Sequence, residues 1–195
     1  MLTTNRYAMA VALAAVFVLA GCGDLGEVEQ GLVIGASGGD AITVILDSNP
    51  MDQNNPKYDR VPPVTVRLPQ DPARMGPYPD AGKLVSVDTD AGQAVVFDAA
   101  SNQLQTVPFE LVEKVDNVFP DDGRVAEAGL PVIDRGAGTV KTYAPRSKQI
   151  VTMKLSEEYL GMAEDTWKAG DEVRYYFKDP GQALRLMNVT KTKIS

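Results

Sequence analysis

From Glu27 to the C-terminus the apolar residues come in short runs, alternating with polar ones or rich in β-branched types. Gly, Pro, Asp or Asn closes almost every run. A period of two turns one face of a strand toward a core, whereas a helix needs a period of 3.6, which is scarce here. The pattern predicts strands over 31–34, 41–47, 64–68, 83–88, 93–98 and 103–114, and then over 138–143, 149–155, 172–178 and 183–193. Thr89-Asp90-Ala91-Gly92 and Asp179-Pro180-Gly181 have the composition of tight turns between neighbouring strands, because Asp and Gly accept the dihedrals such turns need. Only 156–166 reads as a short helix, with Ser156 as its cap and Glu157 and Glu158 in the first turn, where carboxylates favour the helix dipole.

The second half echoes the first. Gly31-Leu32-Val33 before the strand at 42–46 parallels Gly138-Thr139-Val140 before the strand at 150–155. Asp80-Ala81-Gly82-Lys83 parallels Lys168-Ala169-Gly170-Asp171, each followed by an alternating strand. The expected fold is therefore all-β: two small barrel-like modules at 27–117 and 130–195, joined by a linker at 118–129 inside an acidic, Gly-containing stretch. The first module carries an insert at 48–63 and an irregular stretch at 70–79, both rich in proline. Proline cannot donate to a ladder, so such stretches are expected as stiff loops outside central strands. Pro62 and Pro63, with Pro77 and Tyr78, form candidate docking faces, since a pre-set backbone binds at low entropy cost.

Ahead of this pattern, residues 1–21 carry one positive charge, Arg6, followed by an uncharged apolar run from Tyr7 to Ala20. That run is shorter than the roughly 20 apolar residues of a resident spanning helix and reads as a removable signal helix. It ends in Leu19-Ala20-Gly21-Cys22, which resembles the lipobox of bacterial lipoprotein precursors. The resemblance implies acylation of Cys22, cleavage before it, and a tether over 22–30 between lipid and fold. Several acyl chains on one residue make a durable membrane anchor, each buried methylene adding about 0.8 kcal/mol. Gly23 stands where an aspartate commonly retains lipoproteins at the inner membrane, so the periplasmic face of an outer membrane is the expected location in a Gram-negative cell.

Composition narrows the chemistry. The cleaved chain would have 174 residues and, with 18 basic against 26 acidic residues, a net charge of −8. An acidic surface argues against nucleic acid as the principal partner. Cys22 is the single cysteine, and histidine is absent. Without histidine there is no Ser or Cys triad, and the commonest zinc and copper ligand is missing. Carboxylate enzymes stay open in principle, but nothing singles out one acidic pair among 26. Asp47, Asp52 and Asp59, or Asp88 and Asp90, are candidate Ca²⁺ oxygens, although none has the spacing of a calcium loop.

Gly138-Thr139-Val140, Lys148-Gln149-Ile150-Val151 and the phrase Trp167-Lys168-Ala169-Gly170-Asp171-Glu172-Val173-Arg174-Tyr175-Tyr176-Phe177 lead to a closing strand through Val189. This stretch, about 57 residues from Gly138 to Ile194, resembles the small periplasmic copper- and silver-binding domains of metal efflux systems. The resemblance implies a five-stranded OB-type barrel. Members of that family bind the ion with one histidine and two methionines under a tryptophan face. In this chain Met153 lies on the comparable hairpin and Trp167 follows Met162 instead of preceding a Met-x-Met pair; Met153, Met162 and Trp167 are the candidates for such a site, and thioether sulfur suits Cu(I). Packing in a core is the competing role for all three. Taken whole, with Gly26-Glu27-Val28-Glu29-Gln30-Gly31 and Pro62-Pro63-Val64, the chain is similar to an uncharacterised family of bacterial lipoproteins.

The expectation is a membrane-anchored envelope lipoprotein that acts by binding, scaffolding or assembly with an envelope partner, without enzymatic activity and without a cofactor. The alternatives are a Cu(I)/Ag(I) carrier and a carboxylate-dependent envelope enzyme.

Overall fold

The computed structural model describes residues 26–52, 55–127 and 129–192. The expected signal segment 1–21, with Leu19, Ala20 and Gly21, lies outside those residues, as does Cys22. The described strands are β1 (Glu27–Ser37), β2 (Ala41–Asp47), β3 (Tyr58–Arg67), β4 (Leu84–Asp88), β5 (Gln93–Asp98), β6 (Gln103–Pro108), β7 (Glu110–Val115), β8 (Val132–Asp134), β9 (Thr139–Ala144), β10 (Gln149–Lys154), β11 (Glu172–Phe177) and β12 (Ala183–Asn188). Two single-turn helices, α1 (Gly123–Ala126) and α2 (Glu157–Leu160), and two 3₁₀ turns, Pro72–Arg74 and Glu164–Trp167, complete them. The fold is all-β.

The strands form three sheets, ordered β12-β11-β1-β2-β3, β7-β10-β9-β8 and β4-β5-β6. Two of them draw on both halves of the chain. β1 pairs antiparallel with β11, Glu27 lying opposite Phe177 and Leu32 opposite Glu172. β7 pairs antiparallel with β10. Two of the three sheets thus span the boundary expected at 118–129, and β4-β5-β6 lies wholly before it. Residues 27–30 of the expected tether are already paired strand.

The expected modules were barrel-like, and none of the three described sheets closes into a barrel. The two edges of the five-stranded sheet approach each other, and the Arg67 amide donates to the Gly181 carbonyl just before β12 at 2.9 Å, beside an Arg67–Gln182 bridge, but among the described residues no ladder joins β3 to β12. Pro62 and Pro63 lie inside β3 and lack the N–H groups that a closing ladder would use. The prolines expected in a loop therefore sit on an edge strand, which begins at Tyr58, six residues earlier than the pattern at 64–68 suggested.

Burial explains which runs were easy to read. In β11 and β9 every second residue is buried: Val173, Tyr175 and Phe177 in one, Val140, Thr142 and Ala144 in the other. β1 is covered on both faces. Val33 enters a core inside the rolled sheet with Val44, Val66 and Val173, while Leu32 and Ile34 face Phe97 across a second interface. A third core, holding Leu84, Val96, Val151, Met153 and Trp167, fills the space between the two smaller sheets. Each fully buried Val or Leu in these cores contributes roughly 1.5–3 kcal/mol.

Two other elements differ from expectation. The run at 103–114 breaks at Phe109, so β6 and β7 belong to different sheets. Pro108 ends the first, and Phe109 packs against the third core, its amide bonded to the Gly92 carbonyl. The helix expected over 156–166 splits into α2 and the 3₁₀ turn, and Ser156 occupies the cap position without a side-chain capping bond.

Candidate functional site

The chain crosses itself at the two tetrapeptides that looked like a repeat. Asp80-Ala81-Gly82-Lys83 and Lys168-Ala169-Gly170-Asp171 share a central Ala-Gly with their charged ends exchanged, and they lie side by side, with Lys83 antiparallel to Ala169. The Asp171 amide donates to the Asp80 carbonyl at 2.9 Å and the Leu84 amide to the Lys168 carbonyl at 3.0 Å. β1 joins the crossing: the Val33 amide donates to the Asp171 carbonyl at 3.0 Å, and the Gly82 amide to the Val33 carbonyl at 3.1 Å. Backbones approach this closely only where side chains are missing. A β-carbon on Gly170 would overlap the Val33 carbonyl oxygen, and one on Gly82 would overlap that of Lys168.

Side chains lock the crossing. One carboxylate oxygen of buried Asp171, Oδ2, accepts from the Asp80 amide at 2.8 Å and from Asn188 Nδ2 at 2.9 Å, and pairs with Lys191 Nζ at 3.0 Å. Lys191 also donates to Asp80 Oδ2 at 2.9 Å and to the Tyr78 carbonyl at 3.0 Å. The fully buried Asn188 accepts from the Lys191 amide at 3.0 Å, which bends the chain after β12 back over the crossing. The Lys191 hydrogen bond holds the Asp80 carboxyl below the ordinary carboxylate range, against the opposing effect of burial. Burial pushes Lys191 down, but its bonds to Asp80 and Asp171 outweigh that and lift it above the ordinary lysine value. Both partners are held in their charged forms.

Two clefts flank the crossing and share Pro145, Ala169 and Gly170 as common wall. The first, about 220 Å³, includes Lys168, Lys191, Asp80 and Asp171 in its lining. The second, about 260 Å³, lies between Leu84–Val87 of β4 and the β9–β10 turn, with Leu32 and Glu172 beside them. At its rim Arg146 pairs with Glu172 at 3.2 Å, and the guanidinium sits 5.8 Å from the centre of the Tyr58 ring. Gln30 Nε2 donates to the Tyr58 hydroxyl at 3.0 Å, and Arg174 donates to Gln30 Oε1 at 2.8 Å. Burial, then the charge of Glu172, pushes the Tyr58 phenol well above the ordinary tyrosine value, so it remains protonated.

Met153 and Trp167 are wholly buried in the third core, and Met162 packs against that core, partly buried. The structure thus brings the three to one cluster. The Trp167 indole N–H has no hydrogen-bond partner among the described residues. Pro62 and Pro63 lie on β3, whereas Pro77 and Tyr78 run beside β12, at the other edge of the same sheet. The candidate calcium aspartates serve local turns: Asp88 Oδ1 accepts from the amides of Asp90 and Ala91, and Asp47 Oδ1 from those of Asn49 and Lys57. Among the described residues no three Asp, Glu, His or Cys side chains are grouped to hold a metal ion. Asp80, Asp171, Asn188 and Lys191 were not singled out by pattern. Asp80 and Asp171 entered only as ends of two similar tetrapeptides, which were read as a repeat although the two segments are bonded to each other.

Fold and site define an all-β protein of three sheets, pinned at one crossing by two glycines and a four-residue polar clasp. The chain belongs to the family described as Domain of unknown function (DUF4881), whose model matches residues 24–195. No curated protein and no solved structure matches it.

Proposed function

We propose that the protein is a non-enzymatic binding or assembly module, tethered by an acylated Cys22 to a membrane, at the periplasmic face of the outer membrane if the cell has one. The observation that carries this reading is the use of the charged groups around the clefts. Asp171, Asp80, Lys191 and Asn188 are committed to one another, and the shifts of Asp80 and Lys191 move them away from neutral pH. A general acid or base needs the opposite, a group poised near the working pH. The clefts are surface recesses, and the second, bordered by Leu32, Leu84 and Val87, suits an apolar side chain of a partner protein.

The test is in-cell crosslinking of the tagged, lipidated protein followed by capture from solubilised envelope, beside a Cys22→Ser form that cannot be anchored. A defined envelope protein recovered only with the anchored form supports the reading. If neither form yields one, or if both partition into the soluble fraction, the reading fails. A soft-metal role is the second reading, favoured by the shared core of Met153, Met162 and the unbonded Trp167 indole. It requires Cu(I) or Ag(I) to quench Trp167 fluorescence stoichiometrically.

A further inference from the structure

Most sheet edges of this protein are blunted. β3 carries Pro62 and Pro63, and β12 is covered by Met75 and Gly76, whose amide donates to the Leu186 carbonyl at 3.0 Å. β4 meets Ala169, β6 lies against β3 and ends in Pro108, and β8 has only three residues. β7 differs. It is six residues long, forms the edge of the four-stranded sheet, and exposes every residue from Glu110 to Lys114, Val115 being half-buried. Leu111 and Val112 are 39% and 55% exposed, large values for apolar side chains on a strand. A register shift against β10 places Leu111 opposite Met153 and Glu113 opposite Thr152, leaving Val112 without a partner there. An open edge of this kind is a template for another strand.

We propose that β7 pairs antiparallel with β7 of a second copy of this chain, with Val112 on the two-fold axis. The sequence Glu110-Leu-Val-Glu-Lys114-Val is self-complementary in that register. Glu110 faces the partner's Lys114, the symmetric pair repeats the contact, and Val112 meets the partner's Val112. A shift of one residue on each strand toward the C-terminus would set Glu113 against the partner's Glu113, a like-charge pair that disfavours it. The charges are available for exchange. The intrachain contacts Lys154–Glu110 at 4.0 Å and Lys141–Glu113 at 3.9 Å are long, and the glutamates are 75% and 57% exposed. A six-residue strand pair covers less than the roughly 800 Å² per partner of a standard stable interface, so the association is weak and concentration-dependent. The pairing requires only β7 and is independent of the tethered-module reading above; it holds with or without the lipid.

The test uses the purified full chain carrying Cys22→Ser, so that an introduced thiol is the only one. Val112→Cys, at the two-fold axis, is expected to form a disulfide-linked dimer under mild oxidation about tenfold faster than Ser101→Cys, an exposed control away from β7. On the Val112→Cys background, Glu110→Lys and Lys114→Glu are each expected to slow crosslinking about tenfold, and the double exchange to restore it. Circular dichroism checks that each variant is folded, and an unfolded one is replaced by Glu110→Gln or Lys114→Gln, which removes the attraction without reversing it. Crosslinking at Val112 no faster than at Ser101 overturns the proposal, as does a double exchange that stays slow. Neither result bears on capture of an envelope partner by the lipidated protein.

Discussion

The crossing of residues 80–84 with 168–171 and the strand β7 are opposite uses of short polar-flanked sequence. At the crossing, backbone amides and carbonyls and the side chains of Asp171 and Asn188 are paired inside the protein, at distances that leave no room for a β-carbon on Gly82 or Gly170. At β7 one edge is paired to β10, and the side chains from Glu110 to Lys114 stand in solvent. Buried polar groups are costly when left unpaired, so such a network is either completed or disruptive. An exposed edge carries no such cost. The difference divides the molecule into a region that holds the fold and a region free to meet something else.

Four outcomes break or sharpen that division. The largest is expected from Gly170→Ala, which forces a β-carbon into the Val33 carbonyl and parts β1 from the crossing; a loss of more than about 4 kcal/mol in denaturant unfolding is expected. Next, Asp171→Ala strips an acceptor from the Asp80 amide, from Asn188 and from Lys191 at once, and about 2–3 kcal/mol is expected to be lost. A third outcome concerns pH. The depressed Asp80 contributes stability that is present above its ordinary value of 3.8 and is lost as pH falls through the lower folded-state value. The raised Lys191 contributes stability that is present below 10.5 and is lost as pH rises through its higher folded-state value. Asp80 is 58% exposed and Lys191 33%, so solvent screening keeps both contributions small. Lys191→Met is expected to flatten both limbs of the stability–pH curve. Smallest of all, Leu111→Ala and Lys114→Glu in β7 should alter monomer stability by no more than about 0.5 kcal/mol. A larger loss there would mean that β7 belongs to the structural region.

The contrast also explains what could be read in advance. Strands with one buried face announced themselves: the bounds of β2 and β5 coincide with the expected runs, and β11 alternates as a half-buried strand should. Pairing between distant strands left no local mark. Nothing in the composition of 27–37 says that its partner is 172–177, because hydrophobic alternation specifies a face and not a neighbour. The proline insert misled for a related reason. Proline excludes a central strand but not an edge, and β3 is an edge. The clasp was half visible, since Asp80-Ala-Gly-Lys83 and Lys168-Ala-Gly-Asp171 caught attention as similar. That likeness suggested a repeat, whereas the two segments are bonded to each other, a relation that a shared Ala-Gly does not announce. Met153, Met162 and Trp167 lie in one region, and that region is a packed core.

The most direct test of the account is amide hydrogen exchange on the dilute protein, residue by residue. The amides of Gly82, Leu84 and Asp171 should exchange only through global unfolding, while Val112 and the outward amides of β7 exchange orders of magnitude faster. Equal protection at the two places, or fast exchange at Gly82 and Asp171, would contradict the division between a clasp that holds the fold and an edge left open for a partner.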